Sequence, residues 1–338
     1  VFEFLRDHYV GDGRFRFEYS ANFLRWALTP PGSEDKRDLL IQLRSRDTNQ
    51  LVGLITGVPG TIVVGDPVAE DAGSTRRTMV TIDFLCVHAE YRNRSLAPLL
   101  IQEVTRRTRR YDIHQAVYTA GVLLPTPVSE AQYYHRILNV KKAIRTGFSF
   151  LPFGRSLRDE IRDKKPAPLP QLPRFQPLQR RHVASACQLL NEDLSRTTRL
   201  WQHFDEAEFA HMFLPRQGVV HSYVITDESD DSVVTDFASY YVVPNQVLDE
   251  DEQVDAVLNT AFLYYTAAST VPLSALVDDL LSEAYDAGID VCNCLTVGKN
   301  RDIMRQCKFG PGTGFLKYYI YNWKTRSLHD DQVGLLLL

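Results

Sequence analysis

The sequence predicts an α+β fold: two pseudo-twofold related halves that share a mixed β-sheet with flanking helices. Three observations predict it. The order helix–strand–strand–strand–helix–strand is written twice along the 338 residues, which signals a duplicated unit. Apolar residues recur at helical spacing in two corresponding segments, Leu96, Leu99, Leu100 and Val104 in one and Leu273, Leu276, Val277 and Leu280 in the other. Between the repeats stand Pro166, Pro168, Pro170, Pro173 and Pro177. Proline fixes φ and favours extended chain. Residues 164–179 are therefore expected to link a first half, 1–163, to a second, 180–338. Helices packed on one mixed sheet give the α+β class.

The elements follow in order. In the first half Ser20 caps a helix carrying Phe23, Leu24, Trp26 and Ala27. Strands at 39–43 and 51–58 flank the turn Asp47-Thr48-Asn49, and Pro59 is expected to end the second. A strand at 79–87, a turn, Pro98, a helix to Arg110 and a strand at 113–118 complete the half. In the second half Asp205 and Glu208 have capping-box spacing before a helix carrying Phe209, Met212 and Phe213. Strands at 221–226 and 233–243 follow, the latter ending at Pro244. A strand at 258–266, a turn, Pro272 and a helix to about Ala287 come next. Gly288 supplies the C-terminal cap, and a strand at 289–295 follows.

Composition excludes several classes. With 44% hydrophobic and 24% charged residues the chain reads as an ordinary globular protein. A formal net charge of −4 argues against nucleic-acid binding driven by bulk charge. Five scattered cysteines without a CxxC pair signal neither zinc nor redox chemistry, and a reducing, cytoplasmic compartment is expected. No apolar run approaches the roughly 20 residues of a membrane span, and no signal peptide is visible. The nine histidines form no HxH or HxxxH set, so neither a metal nor a redox cofactor is expected.

The most informative stretch is Thr81-Ile82-Asp83-Phe84-Leu85-Cys86-Val87, followed by Arg92-Asn93-Arg94-Ser95-Leu96-Ala97-Pro98. A β-rich run, an arginine-bearing turn and a helix start bring free N–H groups and guanidinium groups together. That combination suits a phosphate, here the diphosphate of coenzyme A. The corresponding turn of the second half, Ala267-Ala268-Ser269-Thr270, carries no charge. Only the first half is then expected to bind a polyanion, leaving the second for another substrate. The run Arg106, Arg107, Arg109 and Arg110 fits a helix C-terminus and is not assigned to the ligand. The spacing Arg92-x-x-Ser95-x-Ala97 resembles the diphosphate-binding element of GNAT-type acetyltransferases.

A fuller resemblance covers the chain from about Tyr9 to Leu338. Asp83-Phe84-Leu85-Cys86-Val87-His88 resembles the first signature of N-myristoyltransferases, and Lys308-Phe309-Gly310-Pro311-Gly312-Thr313-Gly314 the second. Phe15-Arg16-Phe17, Phe23-Leu24-Arg25-Trp26-Ala27-Leu28, Gln115-Ala116-Val117-Tyr118-Thr119-Ala120-Gly121, Tyr134-His135-Arg136, Val234-Thr235-Asp236-Phe237 and Tyr318-Tyr319-Ile320-Tyr321-Asn322-Trp323 also match, in the family's order. The look is closest to protozoan members.

The resemblance implies two GNAT-like halves and an acyltransferase of protein lipidation. Such an enzyme moves myristate from myristoyl-CoA, a substrate and not a cofactor, to the N-terminal glycine of proteins. It implies a cytoplasmic monomer with no nucleic-acid partner. It places the backbone N–H groups of Phe84 and Leu85 in an oxyanion hole, where each such donor is worth about 3–4 kcal/mol. Acyl-CoA would be bound by Phe84, Leu85, Cys86, Val87, Arg92, Asn93, Arg94, Ser95, Leu96, Ala97 and Pro98. The base would be the α-carboxylate of Leu338, at the end of an apolar tail whose burial should raise its pKa. Thr119 would stand by the reacting amine, and Asn293 would hold the glycine end from the facing strand, both near the twofold axis. Tyr9, Val10, Phe15, Phe17, Tyr19, Asp83, Tyr133, His135, Tyr241, Asn245, Gly312 and Thr313 would line the peptide groove.

Several residues depart from the family pattern. Asp83 stands where asparagine is usual, Arg94-Ser95 where Lys-Arg is usual, Thr313 for aspartate and Asn245 for serine. The acidic loop is short, Gly11-Asp12-Gly13, and the family's CoA-covering segment has no counterpart in a sequence that begins at Val1. A relaxed peptide preference and weaker CoA contacts are expected. Two other readings are a paralogue that binds acyl-CoA or peptide without turnover, and a GNAT-type acyltransferase for another amine.

Overall fold

The computed structural model describes residues 1–9, 14–65, 75–248 and 257–338. The strands of the first half are β1 (Phe15–Phe17), β2 (Leu40–Arg44), β3 (Leu51–Thr56), β4 (Val58–Val64), β5 (Thr75–Ile82), β6 (Leu85–Val87), β7 (Ala116–Ala120) and β8 (Ser129–Ile137). Those that follow are β9 (Gln176–Pro177), β10 (Leu200–His203), β11 (Val220–Thr226), β12 (Val234–Val242), β13 (Asn245–Val247), β14 (Val257–Leu258), β15 (Thr260–Ala268), β16 (Val291–Leu295), β17 (Gly310–Tyr321) and β18 (Val333–Gly334). The α-helices are α1 (Phe2–His8), α2 (Ala21–Leu28), α3 (Leu96–Thr108), α4 (Val140–Arg145), α5 (Leu157–Lys164), α6 (Val183–Thr197), α7 (Glu206–Phe213), α8 (Leu273–Asp286) and α9 (Asn300–Ile303).

One mixed sheet of twelve strands runs through both halves, in the order β18-β10-β4-β5-β7-β17-β8-β16-β15-β12-β11-β9. Two three-stranded sheets flank it, β2-β3-β6 and β1-β13-β14. The repeat is visible in the pairing. β5 and β7 are parallel neighbours connected through α3, and β15 and β16 are parallel neighbours connected through α8. This is the α+β class expected from the duplicated order.

Local chemistry explains the helix ends. Ser20 accepts the Phe23 N–H, and the Asp205–Glu208 capping box closes in both directions. At the end of α8, Gly288 takes φ +80, while Ile289 and Gly288 donate to the carbonyls of Ala284 and Tyr285. That is the Schellman arrangement, which needs a residue at ease with positive φ. In α3, Leu100 and Val104 are buried against β2, β3 and β6, but Leu99 lies on the exposed side. Arg106 and Arg107 pair with Glu103 at the helix end, away from the turn.

The main core lies where α2, α6 and α7 pack on the sheet, around Trp26, Phe209, Phe213, Phe237 and Tyr264. A second core lies under α8, with Leu276, Val277 and Leu280. Leu172 and Phe175 of the proline-rich stretch pack on this second core. The N–H groups of Gln171 and Leu172 donate to the Asp279 carboxylate at 2.8 and 2.7 Å. Five prolines lower the entropy lost in fixing this segment.

Two expectations fail here, each for a physical reason. Pro59 does not end a strand. It lies within β4, opposite Val80 of β5, while β10 on the other side begins its pairing only at Thr61. The missing N–H therefore falls where β4 has one neighbour, a place a strand tolerates proline. The strand expected at 79–87 is broken: β5 stops at Ile82 in the large sheet, and β6 restarts at Leu85 in the small one. The glycine-rich second signature runs into the start of β17, with Gly310 opposite His135.

Candidate active site

The break between β5 and β6 creates the site. β5 and β7 run parallel as far as the pair Ile82–Tyr118. The next residues on the two strands are Asp83 and Thr119, and here the chain leaves the large sheet for the edge of the small one. In the second half the corresponding strand, β15, parts from β16 after Phe262–Asn293 but runs on unbroken beside β12 to Ala268. The halves thus differ where the first must open.

Backbone donors at the break can be followed along the ladder. Thr56 N–H donates to the Phe84 carbonyl and His88 N–H to the Val52 carbonyl. In an antiparallel pair the bonded residues alternate, so the residue between Phe84 and Cys86 turns its N–H away from β3. That residue is Leu85, on an edge strand. The Phe84 N–H is engaged differently, donating to Thr56 Oγ1 at 3.1 Å. Thr56 is fully buried. The sequence reading missed it, although a hydroxyl inside the apolar run 51–58 was a usable signal.

Asp83 keeps some exposure as a residue, but its carboxyl is enclosed. Burial pushes it up to about 7 from an ordinary 3.8, and hydrogen bonds from the Leu338 N–H and the Thr81 side chain pull the other way. The Tyr9 hydroxyl donates to the Asp83 carbonyl at 3.2 Å. One cavity is lined by Asp83, Thr81, Tyr264, Gln202, Glu208 and the tail residues Leu336, Leu337 and Leu338, among others. The tail is held by β18 beside β10 and by the Leu336 N–H, which donates to the Tyr265 hydroxyl at 3.1 Å. Leu338 packs on the main core.

An aromatic wall runs from the break toward the second half. Tyr9 and Tyr19 contact the buried Phe84, with ring centroids 5.4 and 5.0 Å away. Tyr19 meets Phe17, Phe17 meets Phe262, and Phe262 stacks on Tyr241 at 5.1 Å. Strand register then carries a row across the sheet: Tyr241, Phe262, Asn293, His135 and Gly310 stand side by side on five strands. His135 Nδ1 and Asn293 Oδ1 are 2.7 Å apart, so Nδ1 carries the proton. Burial holds the His135 pKa down, against that bond. A Cβ on Gly312 would overlap His135 Nε2 and come within 2.9 Å of the Tyr133 carbonyl oxygen, so only glycine fits. Phe15 reaches the row through Phe148, which meets His135.

Not every expected residue joins one point. Thr119 is opposite Tyr318, which is opposite Ser129. His135 and Asn293 lie six residues further along β8, roughly 20 Å at strand rise. Thr119 and Asn293 therefore stand well apart along the sheet. Asn245 is buried and donates to Thr260 Oγ1 at 3.2 Å, and Thr313 is exposed. Val10 and the loop Gly11-Asp12-Gly13 lie outside the described residues.

The arginine turn sits beyond β6. Asn93 and Ser95 take positive φ, 62 and 57, so the backbone curls tightly before α3. Leu96, Ala97 and Pro98 form the first turn of α3, where proline costs no hydrogen bond. Arg92 is not a free phosphate donor: its guanidinium donates to the carbonyls of His8 at 2.6 Å and Val87 at 3.3 Å, tying α1 to the turn. Arg94 lies over the Tyr91 ring. Cys86 is buried, which pushes its thiol up to about 12, and all five cysteines are free and buried. His329, Asp330 and Asp331 bring ligand atoms within 4.8 Å of one another, a cluster the histidine spacing did not signal. Asp330 there is paired with Arg301. Among the described residues no helix is long and apolar enough to cross a membrane.

The family model of the N-terminal domain of myristoyl-CoA:protein N-myristoyltransferase matches residues 1–131, and that of the C-terminal domain residues 145–334. Glycylpeptide N-tetradecanoyltransferase 1 of Arabidopsis thaliana is 40% identical over 342 residues, covering 100% of this chain and 75% of the relative. The glycylpeptide N-tetradecanoyltransferase of Plasmodium falciparum is 35% identical, covering 100% and 79%. The likeness therefore supports the family and does not single out protozoan members. The crystal structure of Saccharomyces cerevisiae N-myristoyltransferase with bound myristoyl-CoA superposes with a TM-score of 0.91 at 31% identity, covering 100% of this chain and 85% of that one.

Proposed function

The chain belongs to the myristoyl-CoA:protein N-myristoyltransferase family, and we propose that it transfers the myristoyl group of myristoyl-CoA to the N-terminal glycine amine of proteins at the break between β5 and β6. The observation that carries this reading is the interrupted strand, which puts Asp83 in one cavity with Leu338, directly before the backbone donors of Phe84 and Leu85.

The roles divide as follows. Residues 1–163 take acyl-CoA, with the curled turn 92–98 and the start of α3 at its diphosphate, and residues 180–338 take the peptide, with 164–179 as the connection. Leu85 N–H, on an open edge, is one donor to the thioester oxyanion. Phe84 N–H is the second, released from Thr56 when the stronger acceptor arrives. A bound glycine is an ammonium at neutral pH and must lose its proton before it attacks. The α-carboxylate of Leu338 is the base, and Thr119 orients the amine beside Asp83. The aromatic wall Tyr9, Phe17, Tyr19, Tyr133 and Tyr241 guides the peptide toward His135, Asn293 and Gly312. A closed apolar cavity measures acyl length, each buried methylene contributing about 0.8 kcal/mol. The protein acts as a cytoplasmic monomer and needs no metal.

The test is direct. Incubation with myristoyl-CoA and a glycine-initiated peptide should yield the N-myristoylated peptide by mass. An alanine-initiated peptide should yield none. Absence of product would favour a binding paralogue. Equal use of acetyl-CoA would favour a GNAT-type acyltransferase for shorter acyl groups.

A further inference from the structure

A carboxylate at the break has no assigned chemistry. Asp83 is the residue at which β5 leaves β7, directly before Phe84 and Leu85 and next to Thr119. It accepts a hydrogen bond from the Leu338 N–H, and both residues line one cavity. We propose, resting on the transferase reading above, that Asp83 is a catalytic proton acceptor for the substrate amine, working as a pair with the carboxylate of Leu338.

The surroundings suit that role. Three influences act on the carboxyl: burial, the Leu338 N–H and the Thr81 side chain, none of them a cation. Around it stand the hydroxyls of Tyr9 from the end of α1, Tyr19 from before α2, Tyr241 on β12 and Tyr264 on β15. Burial holds each of them neutral, and neighbouring charge, including that of Asp83, adds to the effect. Glu208 of α7 lines the same cavity and is also pushed up by burial. An ammonium entering here would be the missing positive partner of Asp83.

Stoichiometry calls for two acceptors. Turning a glycine ammonium into an amide removes two protons. The Leu338 carboxylate takes the first, leaving a neutral amine. The amine lone pair forms the C–N bond at the thioester carbon, and the carbonyl π pair moves to oxygen. The nitrogen of this adduct gives its second proton to the Asp83 carboxylate. The oxyanion then re-forms the carbonyl, the C–S bond breaks, and the sulfur leaves with the electron pair. The Asp83 carboxyl protonates that thiolate and is reset, while the proton on Leu338 passes to water. One proton is released overall, as the reaction requires.

The alternative is that Asp83 only anchors the tail through the Leu338 N–H. Asp83→Asn separates the two, because an amide oxygen still accepts that bond but takes no proton. The full chain and D83N are compared with myristoyl-CoA and a glycine peptide, following kcat from pH 5.5 to 8.5. We expect the parent kcat to fall on the acid side with a midpoint near neutrality. D83N should move that midpoint to lower pH and lower kcat at pH 8 by about tenfold, less than a lone base contributes because Leu338 remains. Superimposable profiles overturn the inference while leaving the transferase reading intact. A parent kcat that stays flat from pH 5.5 to 7.5 overturns it without any variant. No product from either protein at any pH overturns both.

Discussion

Replacing Asp83 by asparagine should stabilise the protein increasingly as pH rises above about 4, with the full effect reached above neutrality. The folded carboxyl titrates near 7 against an ordinary 3.8, a rise of about 3 units. A raised carboxyl pKa means the folded state holds the proton more tightly than the unfolded chain. The group therefore costs nothing below about pH 4, costs progressively more as pH rises toward 7, and its full penalty is present above that. At 1.36 kcal/mol per unit the penalty is about 4 kcal/mol. Asparagine does not ionise, so D83N escapes it. The new amide N–H₂ group needs partners in the same cavity, and an unmet one costs about 1–3 kcal/mol at every pH. The difference between variant and parent should then grow by about 4 kcal/mol between pH 4 and pH 8, whatever its offset. Urea unfolding at both pH values measures it. A difference that does not change with pH would refute the claim that Asp83 is a buried carboxylate without a cation. Tolerating such a penalty is what a stability–activity trade-off at a functional group looks like.

Three other perturbations follow from the geometry. Gly312→Ala pushes on His135 and the Tyr133 backbone, so KM for the glycine peptide should rise at least about tenfold while the Kd for myristoyl-CoA is unchanged, a ratio equivalent to about 1.4 kcal/mol. Thr56→Val removes the acceptor of the Phe84 N–H; stability of the free protein should fall by about 1–3 kcal/mol, and myristoyl-CoA should restore part of it in the same melting experiment. Arg92→Ala frees the His8 carbonyl from the turn, so limited proteolysis should cut near α1 faster and the Kd for myristoyl-CoA should rise by several-fold.

What the sequence made legible was local. The Ser20 and Asp205 caps, the apolar faces of α3 and α8 and the Gly288 stop depend on residues within a few positions of one another. The break at Asp83 was not legible, because it arises from competition between two sheets: β4 and β7 hold the strand up to Ile82, and β3 holds it from Leu85. Pro59 misled for a related reason, since its tolerance depends on where β10 begins to pair. The long strands β8 and β17 pass through the centre of the sheet, and their lack of clean alternation hid them. For the site, resemblance supplied the residue set and the fold supplied its arrangement. It separated Thr119 from Asn293, spent Arg92 on backbone carbonyls and Asn245 on Thr260, and added Thr56 and Phe262.

The central claim is that the last residue of the chain and the broken strand form one catalytic centre for glycine acylation. Single-turnover acylation of a glycine peptide by the chain preloaded with myristoyl-CoA, with and without Leu337 and Leu338, tests it most directly. The untruncated chain should form myristoyl-peptide. The truncated protein should bind myristoyl-CoA with unchanged Kd and transfer it at least about 100-fold more slowly, the lower range for loss of a positioned base. Equal transfer rates would contradict the account.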